Sequence, residues 1–265
     1  MRNRTIFQPR ASNARWIWRA PSRNCSPRIR KTRRCRRRAR RRIEQICRAA
    51  AAQKFIAAGA YRAAVHENAV ANSLGAWAYH VGTIADLHTV TLNDAGTASG
   101  FASDASPDAR ALDAAQVART ALDKAQRSQN PIALAPGEYT VVLEPEAVAS
   151  VLQYTAWNTF NALAVQEERS FVRGRRGEQL FSPLVSVYDD GNARDTFALP
   201  FDFEGTPRQK VTLIEKGCAQ AVVYDTFTAR RDGVASTGHS LPAPNLVGPL
   251  PQHLFLAPGA ASAPN

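Results

Sequence analysis

Residues 137–154, GEYTVVLEPEAVASVLQY, place two kinds of element in direct succession. Residues 139–143 are a short apolar run of β-forming residues, which predicts a buried strand. Pro145 suits the first position of a helix, where its missing N–H costs nothing. Beyond it, apolar residues recur at spacings of three and four, which predicts one apolar helix face. The stretch therefore predicts a strand that runs straight into a helix, with Glu144 and Glu146 at the junction, a common place for chemistry.

The charge of the chain is concentrated in its first part. The 265 residues have a formal net charge of +12. Residues 1–60 contain 19 Lys and Arg and a single acid, Glu44, whereas residues 61–265 contain 15 Lys and Arg and 21 acids. A basic balance indicates nucleic-acid binding, but here it does so for the first part only.

Residues 1–42 allow three interpretations. They are rich in Arg, with eight in residues 33–42, and contain no apolar period from which a core could form. They could be a basic arm that neutralises phosphates, a disordered tail, or a segment that is not native protein because the gene was read in a wrong frame or from a wrong start. We therefore set residues 1–42 apart as a basic segment that is disordered or non-native.

Composition argues against several other classes of protein. The four Cys residues show no zinc-type spacing, and their low number fits a reducing cytoplasm. No apolar run approaches the length that crosses a membrane, and the N-terminus has no apolar stretch of a secretory signal. We expect a cytoplasmic protein with no membrane partner.

The remaining pattern predicts mixed helices and strands. Helices are predicted over residues 43–60, 108–127 and 226–232, a hairpin turn at 72–75, and a loop or irregular hairpin over 94–107. Further strands are predicted over residues 87–92, 184–188, 196–201, 211–214 and 219–224. A boundary near residues 131–137 divides the chain into a middle α+β domain, 43–130, and a second domain, 131–265.

Three short motifs contain candidate functional side chains. Asp189 and Asp190 precede Gly191, an arrangement that could bind a cation or activate a water but is more often a turn. In residues 201–204 acids alternate with aromatic residues, so an extended chain would place Asp202 and Glu204 on one face.

The third motif, residues 236–239, offers hydroxyl groups and the imidazole of His239. A hydroxyl and an imidazole form a nucleophile pair only when a third group orients the base, and the sequence places no acid beside them. A self-contained hydrolase that uses Asp189, Asp190 or His239 stays open as one hypothesis.

Taken together, several segments resemble the TldD/PmbA family, also called the TldD/TldE metallopeptidase or "modulator of DNA gyrase" family. The matching segments include AVANSLGAWAYH (69–80), PGEYTVVLEPEAVASVL (136–152), SFVRGRRGEQLFSP (170–183), FDFEGTP (201–207) and STGH (236–239). The resemblance extends from about Ile43 to the end of the chain. It implies an α+β fold with mixed or antiparallel sheets and packed helices, in a two-part architecture that is incomplete at both ends.

The resemblance also implies a zinc motif, HExxxH, at the start of the helix that follows the strand predicted over residues 139–143. In the family the two His residues and a later Cys bind zinc, and the Glu is the general base for a zinc-bound water. The match places the two ligands at Pro145 and Ser150 and the base at Glu146. Since proline has no ligand atom and serine is a poor zinc donor, we expect no metal or cofactor in this chain and an inactive Glu146.

This pattern is similar to the TldE/PmbA type of subunit, which lacks the motif and pairs with a zinc-bearing TldD. We therefore expect a TldD-like zinc partner or self-association, and small or unfolded peptides as substrates. Candidate lining residues of the peptide chamber are Asp189, Asp190, Asp202, Glu204 and His239. The alternative function is nucleic-acid binding through the Arg-rich segment, although nucleic acid is not the favoured partner.

Overall fold

The computed structural model describes residues 5–7, 28–193 and 196–259. Within these residues the elements are β1 (Thr5–Phe7), α1 (Arg28–Ala52), β2 (Ile56–Ala71), β3 (Trp77–Leu92), β4 (Ser99–Ser106), α2 (Ala114–Arg127), α3 (Pro145–Thr159), α4 (Ala162–Gln166), β5 (Val187–Asp189), β6 (Val211–Glu215), β7 (Cys218–Ala219), α5 (Thr226–Asp232) and β8 (Leu254–Leu256). They form two compact units. Of the described residues, the central unit comprises 28–66 and 83–138, and the C-terminal unit comprises 5–7, 67–82, 139–193 and 196–259.

A long hairpin of β2 and β3 is the basis of the first sheet. The predicted turn at its tip is confirmed: the side-chain carbonyl of Asn72 accepts hydrogen bonds from the backbone N–H of Leu74 and Ala76, each at 3.0 Å. Gly75 follows with φ +84°, a conformation that glycine adopts without strain. In this sheet β1 and β2 lie on either side of β3, and β4 also pairs with β3.

Of the two alternatives predicted for residues 94–107, a loop or an irregular hairpin, the structure has a hairpin, in which a turn at 93–98 leads into β4. This strand pairs antiparallel with β3 from Ser99 opposite Leu92 to Ser106 opposite Ala85. Its composition of small and polar residues gave no strand signal, yet Gly100 and Ala102 are buried. Gly100 shows why: an added Cβ would collide with the backbone of Ala121, so only glycine lets α2 approach this closely.

Helix α1 differs from its prediction at both ends. It begins at Arg28 instead of residue 43, since Arg is a good helix former, and it continues without a break across the predicted border between residues 42 and 43. It ends at Ala52 because the Ala-rich continuation pairs with β3 as the start of β2. Tertiary pairing has overridden the high helix propensity of alanine there.

Helix α2 completes the central unit. It ends at Arg127 as predicted but begins at Ala114, where the Asp113 carboxylate accepts hydrogen bonds from the N–H groups of the first turn. The core beneath it contains Ile46 of α1, Leu87 of β3 and Val117 of α2.

The C-terminal unit is built around a small antiparallel sheet with the strand order β7-β6-β5-β8. Its core includes Phe160, Val187, Leu213 and Val223. The predicted strand at 211–214 and the predicted helix at 226–232 are confirmed as β6 and α5. Helices combined with antiparallel strand pairs confirm the predicted α+β fold class.

Some predicted strands in this unit are wrong in extent or absent. The strand predicted over 184–188 is found as Val187–Asp189, and the one over 219–224 is reduced to Cys218–Ala219. No strand is present in the described part of 196–201, and β8 was not predicted. Runs this short depend on their neighbours more than on their own composition.

The prediction for residues 137–154, a strand followed directly by a helix, is confirmed for the helix and wrong for the strand. Helix α3 begins at Pro145 as predicted, but residues 139–143 form no strand in the described chain. Val142 is 95% exposed and Val141 is 66% exposed. The predicted apolar face of α3 is also poorly covered, since Val151 is 57% exposed. β-Forming residues make a strand only when a neighbouring strand and a packing surface are present.

Candidate functional site: the start of α3 and a buried polar cluster

The first turn of α3 is a regular helix start. Glu144 occupies the N-cap position with extended backbone, Pro145 follows, and the N–H of Val148 donates to the carbonyl of Glu144 at 3.0 Å. Glu146 is half-buried and lies in this first turn, where a negative charge is stabilised by the helix dipole. The junction thus has a sound structural role without any metal.

The residues of α3 do not fit a zinc ion. The Ser150 hydroxyl donates a hydrogen bond to the Glu146 carbonyl at 3.0 Å, and Pro145 has no donor atom. The helix contains no His and no Cys in any register, and Glu146 is its only acid. Zinc sites in proteins use His, Cys and carboxylate ligands in sets of three or four. Elsewhere in the described residues, no group of three or more such side chains is placed to hold a metal.

Asp189 and His239 form a buried hydrogen-bonded pair inside the C-terminal unit. His239 Nε2 lies 2.9 Å from Asp189 Oδ1, and both side chains are 0% exposed. The second oxygen of Asp189 accepts the backbone N–H of His253 at 2.7 Å. Burial by itself raises the pKa of Asp189, but the hydrogen bond and charge of His239 and the N–H of His253 outweigh it and leave this pKa below its ordinary value.

Thr237 extends this pair. Its Oγ1 lies 3.0 Å from His239 Nδ1 and accepts the backbone N–H of Tyr224 at 2.7 Å. A hydroxyl, an imidazole and a carboxylate in series have the connectivity of a nucleophile, base and acid. His239 is nevertheless fully buried, so no substrate can reach it, and the geometry favours a structural network that joins the 237–239 segment to β5.

Asp190 lies next to Asp189 in sequence but has a different role. Its side chain accepts the backbone N–H of Asn192 at 3.0 Å, and its own N–H donates to the carbonyl of His253 at 3.0 Å. These contacts make the Asp-Asp-Gly motif a turn, as the commoner interpretation of the sequence predicts. Asp190 is half-buried and retains accessible surface.

The alternation predicted for residues 201–204 is wrong. Phe201 and Asp202 are both buried, at 1% exposure each, whereas Phe203 is 38% exposed. The reason is local: Asp202 Oδ1 accepts the N–H groups of Glu204 and Thr206, which bends the chain into a turn.

The two acids of this turn make different contacts. The other oxygen of Asp202 accepts the N–H of Ser240 at 2.9 Å, and burial raises the pKa of Asp202 in spite of its backbone donors. Glu204 is half-buried, and its Oε2 accepts the N–H and the hydroxyl of Thr226 at the start of α5. Asp202 and Glu204 thus connect the turn to two other segments of the unit.

Arg208 joins Asp189, Asp202 and His239 as a further buried polar residue of this unit, and the sequence did not reveal it. It is 3% exposed, and its Nη2 donates to the side-chain oxygen of Gln252 at 2.6 Å. Burial lowers the pKa of Arg208, against the opposing charges of Asp189 and Asp202. No local pattern distinguishes Arg208 from a surface arginine, since the side chains that its guanidinium contacts, Gln252 and His253, lie more than forty residues away along the chain.

His253 was also missed by the sequence. Its Nε2 lies 3.1 Å from the carbonyl oxygen of Phe197, and burial together with the charge of Arg208 lowers its pKa. The cluster therefore joins a buried cation, two buried carboxyl groups and two imidazoles. The hydrogen bonds of these residues connect four segments of the C-terminal unit, and they expose no reactive group.

Comparison with known proteins places these features in context. A family model described as the PmbA/TldA metallopeptidase C-terminal domain matches residues 136–265, and one described as the PmbA/TldA metallopeptidase central domain matches residues 29–129. No helix in the described residues is long and apolar enough to cross a membrane.

This chain spans only part of the length of each relative that it matches. An uncharacterized protein of Methanocaldococcus jannaschii is 36% identical over 130 residues, which are 49% of this chain and 31% of the relative. A protein named "Metalloprotease TldD homolog" from Haemophilus influenzae is 36% identical over 110 residues, 41% of this chain and 21% of the relative. The crystal structure of TldE from Thermococcus kodakarensis has a TM-score of 0.70 at 25% identity, covering 83% of this chain and 51% of that one.

Proposed function

Because the chain belongs to the PmbA/TldD metallopeptidase family, we propose that it is a subunit of a TldD/TldE-type peptidase and has no zinc site of its own. The observation that carries this proposal is the composition of α3, which contains neither His nor Cys. It does not depend on how the family motif is aligned, since every register along the helix lacks a nitrogen or sulfur ligand. The likeness to a structure named TldE supports the same assignment.

In this role the chain contributes shape and contacts, and a TldD-like partner contributes the zinc. Glu146 stands at the matched position of the general base, but without a bound metal it has no activated water to deprotonate. Its remaining role is to stabilise the start of α3 as an acid in the first helical turn. A homodimer of this chain would lack zinc on both sides, so the proposal favours the zinc-bearing partner over self-association.

The proposed substrates are small or unfolded peptides, and the proposed location is the cytoplasm. Of the candidate lining residues, Asp190 and Glu204 keep accessible surface, whereas Asp189, Asp202 and His239 are buried. Contact with a peptide is therefore proposed for Asp190 and Glu204 only. The described cysteines Cys47 and Cys218 are free thiols, which is compatible with a reducing compartment.

Metal analysis of the purified chain tests the proposal. After dialysis against zinc and then against zinc-free buffer, we expect no stoichiometric zinc, and no peptidase activity from the isolated chain. A TldD-type relative carried through the same steps is the positive control. One tightly bound zinc per chain, removed only by a chelator, would contradict the proposal.

The self-contained hydrolase has less support. It requires Asp189 and His239 to reach a substrate, and both are fully buried. Peptidase activity of the isolated chain that is lost in the Asp190→Ala variant would restore this hypothesis.

A further inference from the structure

His253 is a half-buried imidazole whose backbone is fixed on both sides. Its N–H donates to Asp189 Oδ2 at 2.7 Å, and its carbonyl accepts the N–H of Asp190 at 3.0 Å. The residue lies directly before β8, which pairs with β5. The ring of His253 can therefore change position while its backbone stays in place.

Two contacts of this ring are compatible with only one of its forms. Nε2 lies 3.1 Å from the carbonyl oxygen of Phe197, which can only accept, so Nε2 carries a hydrogen. Nδ1 lies 3.4 Å from Arg208 Nη1, which can only donate, so Nδ1 must accept. The neutral ring with its hydrogen on Nε2 satisfies both contacts. A second proton, on Nδ1, would place a donor and a positive charge against the guanidinium of Arg208.

Arg208 cannot give way to a protonated ring. It is 3% exposed, its Nη2 donates to the side-chain oxygen of Gln252 at 2.6 Å, and a guanidinium does not lose its proton in proteins. His253 retains accessible surface, so its ring has a path to water. A charged His253 therefore moves away from Arg208 and loses its contact with the Phe197 carbonyl.

The charges around His253 act in the same direction. Burial lowers the pKa of His253 most and the charges of Arg208 and His239 lower it further, whereas the charge of Asp189 and the Phe197 carbonyl oppose them. The pKa in the folded chain thus lies below the unfolded value of about 6.5. The stability that the neutral ring contributes is complete above that pH and is lost as the pH falls through the folded pKa.

The segment that the ring contacts is residues 196–199. These residues belong to no helix or strand of the described chain, and the side chain of Phe197 is 37% exposed. The N–H of Leu199 donates to the carbonyl of Gly191 at 2.9 Å. This hydrogen bond joins the segment to the turn that contains Asp190.

We propose that His253 is a pH-sensitive switch, which holds residues 196–199 in place while it is neutral and releases them when it binds a proton. Release weakens the hydrogen bond between Leu199 and Gly191 and loosens the turn around Asp190, a residue proposed to contact peptides. The consequence for peptide binding rests on the proposed function, whereas the switch itself does not.

Nitrogen-15 NMR of the full chain tests the state of the ring, with the His253 signals assigned by their loss in the His253→Gln variant. At about pH 7.5 we expect the neutral form with its hydrogen on Nε2, and on acidification a midpoint below about 6.5. A hydrogen on Nδ1 in the neutral ring, or a midpoint at or above this value, would overturn the proposal.

Hydrogen exchange of the Leu199 amide tests release of the segment. Between about pH 7.5 and about pH 5.5 its protection factor, which is corrected for the intrinsic exchange rate, should fall about five-fold. In His253→Gln an uncharged side chain with the same donor and acceptor replaces the ring, so the fall should be at most about two-fold. His66→Gln, at an exposed position elsewhere, is the matched control and should respond as the unsubstituted chain does.

A second histidine lies near the same segment. His80 is 2% exposed and lies against the backbone of Ala198, and burial lowers its pKa as well. If His253→Gln lost as much protection on acidification as the unsubstituted chain, the response would belong to His80 or another group and the proposal would be wrong. A protection factor that does not change with pH would also overturn it.

These measurements use neither zinc nor a peptide. A chain that binds zinc but passes both the NMR and the exchange tests would refute the proposed function and leave the switch standing. A chain that binds no zinc and shows no acid response would do the reverse.

Discussion

At the scale of single residues, the two adjacent aspartates differ in what surrounds them. Asp189 is fully buried and satisfies both His239 and the N–H of His253, whereas Asp190 caps a turn at the surface. Removing one partner of a buried pair leaves the other group desolvated and unpaired, which costs far more than the pair contributes as a whole. Burial, not residue type, therefore decides what each aspartate does.

This difference predicts a large contrast between two variants. Asp189→Ala should lower the free energy of unfolding by about 3–5 kcal/mol, because His239 and the His253 N–H lose their acceptor. Asp190→Ala should cost much less, since it loses one turn contact. Urea denaturation followed by fluorescence measures both. Equal losses in the two variants would show that the Asp189–His239 pair contributes little.

The same pair predicts acid sensitivity. The pKa of Asp189 in the folded chain lies below its unfolded value, so the unfolded state binds the proton more readily. The stability that this group contributes is complete above about pH 4 and is lost as the pH falls through the folded pKa.

Asp189→Asn should therefore be less stable than the unsubstituted chain at neutral pH but lose less stability as the pH is lowered below about 4. Asp190→Asn is the control and should keep the steep acid loss. Urea midpoints measured at several pH values decide the outcome, and parallel curves for the chain and Asp189→Asn would refute this assignment.

At the scale of elements, α5 is the part that the sequence predicted best. Its start is specified locally: the Asp225 carboxylate accepts the N–H and the hydroxyl of Thr228, and the Thr228 hydroxyl accepts the Asp225 N–H in return. Gly233, with φ +67°, ends the helix. Signals of this kind lie within a few residues of one another and so can be found without knowledge of the fold.

The cap of α5 gives a prediction at this scale. Asp225→Ala should lower the free energy of unfolding by about 1–2 kcal/mol, since a buried N-cap acceptor is lost. Asp123→Ala, on the exposed surface of α2, is the matched control and should leave thermal unfolding unchanged. If both variants melted at the same temperature as the unsubstituted chain, the capping box would not contribute to stability.

Whether other segments form a strand depends on partners that are distant in the sequence. Residues 56–60 follow an Ala-rich helix and would extend it by propensity, yet they join β2 because β3 lies beside them. Residues 139–143 show the converse: they have strong β propensity and form no strand in the described chain. Strand formation depends on a neighbour in space, so short-range patterns fail in both directions.

At the scale of the whole molecule, the excess of positive over negative charge is confined to the first 60 residues. Helix α1 begins at Arg28 and contains the eight arginines of residues 33–42, whereas the chain after residue 60 is mildly acidic. Such a segment attracts the phosphates of any nucleic acid without reading its sequence. Binding of this kind would be electrostatic and would not by itself indicate function.

The charge distribution predicts salt-sensitive binding to DNA. Duplex DNA should be retained at low salt, released at about 0.2 M salt, and bound equally whatever its sequence. Replacing Arg33, Arg34, Arg36, Arg37 and Arg38 by Gln should reduce the slope of log affinity against log salt by up to about 4.5. The same number of Arg→Gln changes after residue 60 is the control. Sequence-specific binding that persists above this salt concentration would favour the nucleic-acid alternative.

The sequence by itself determined the family, the α+β class, the helix start at Pro145 and the absence of histidine from α3, because these depend on residue identity and short-range spacing. Only the tertiary structure decided that Asp189 pairs with His239, fifty residues away, and that Arg208 is buried. It also decided that residues 139–143 remain uncovered. Burial and long-range pairing are properties of three-dimensional packing, which local sequence patterns do not contain.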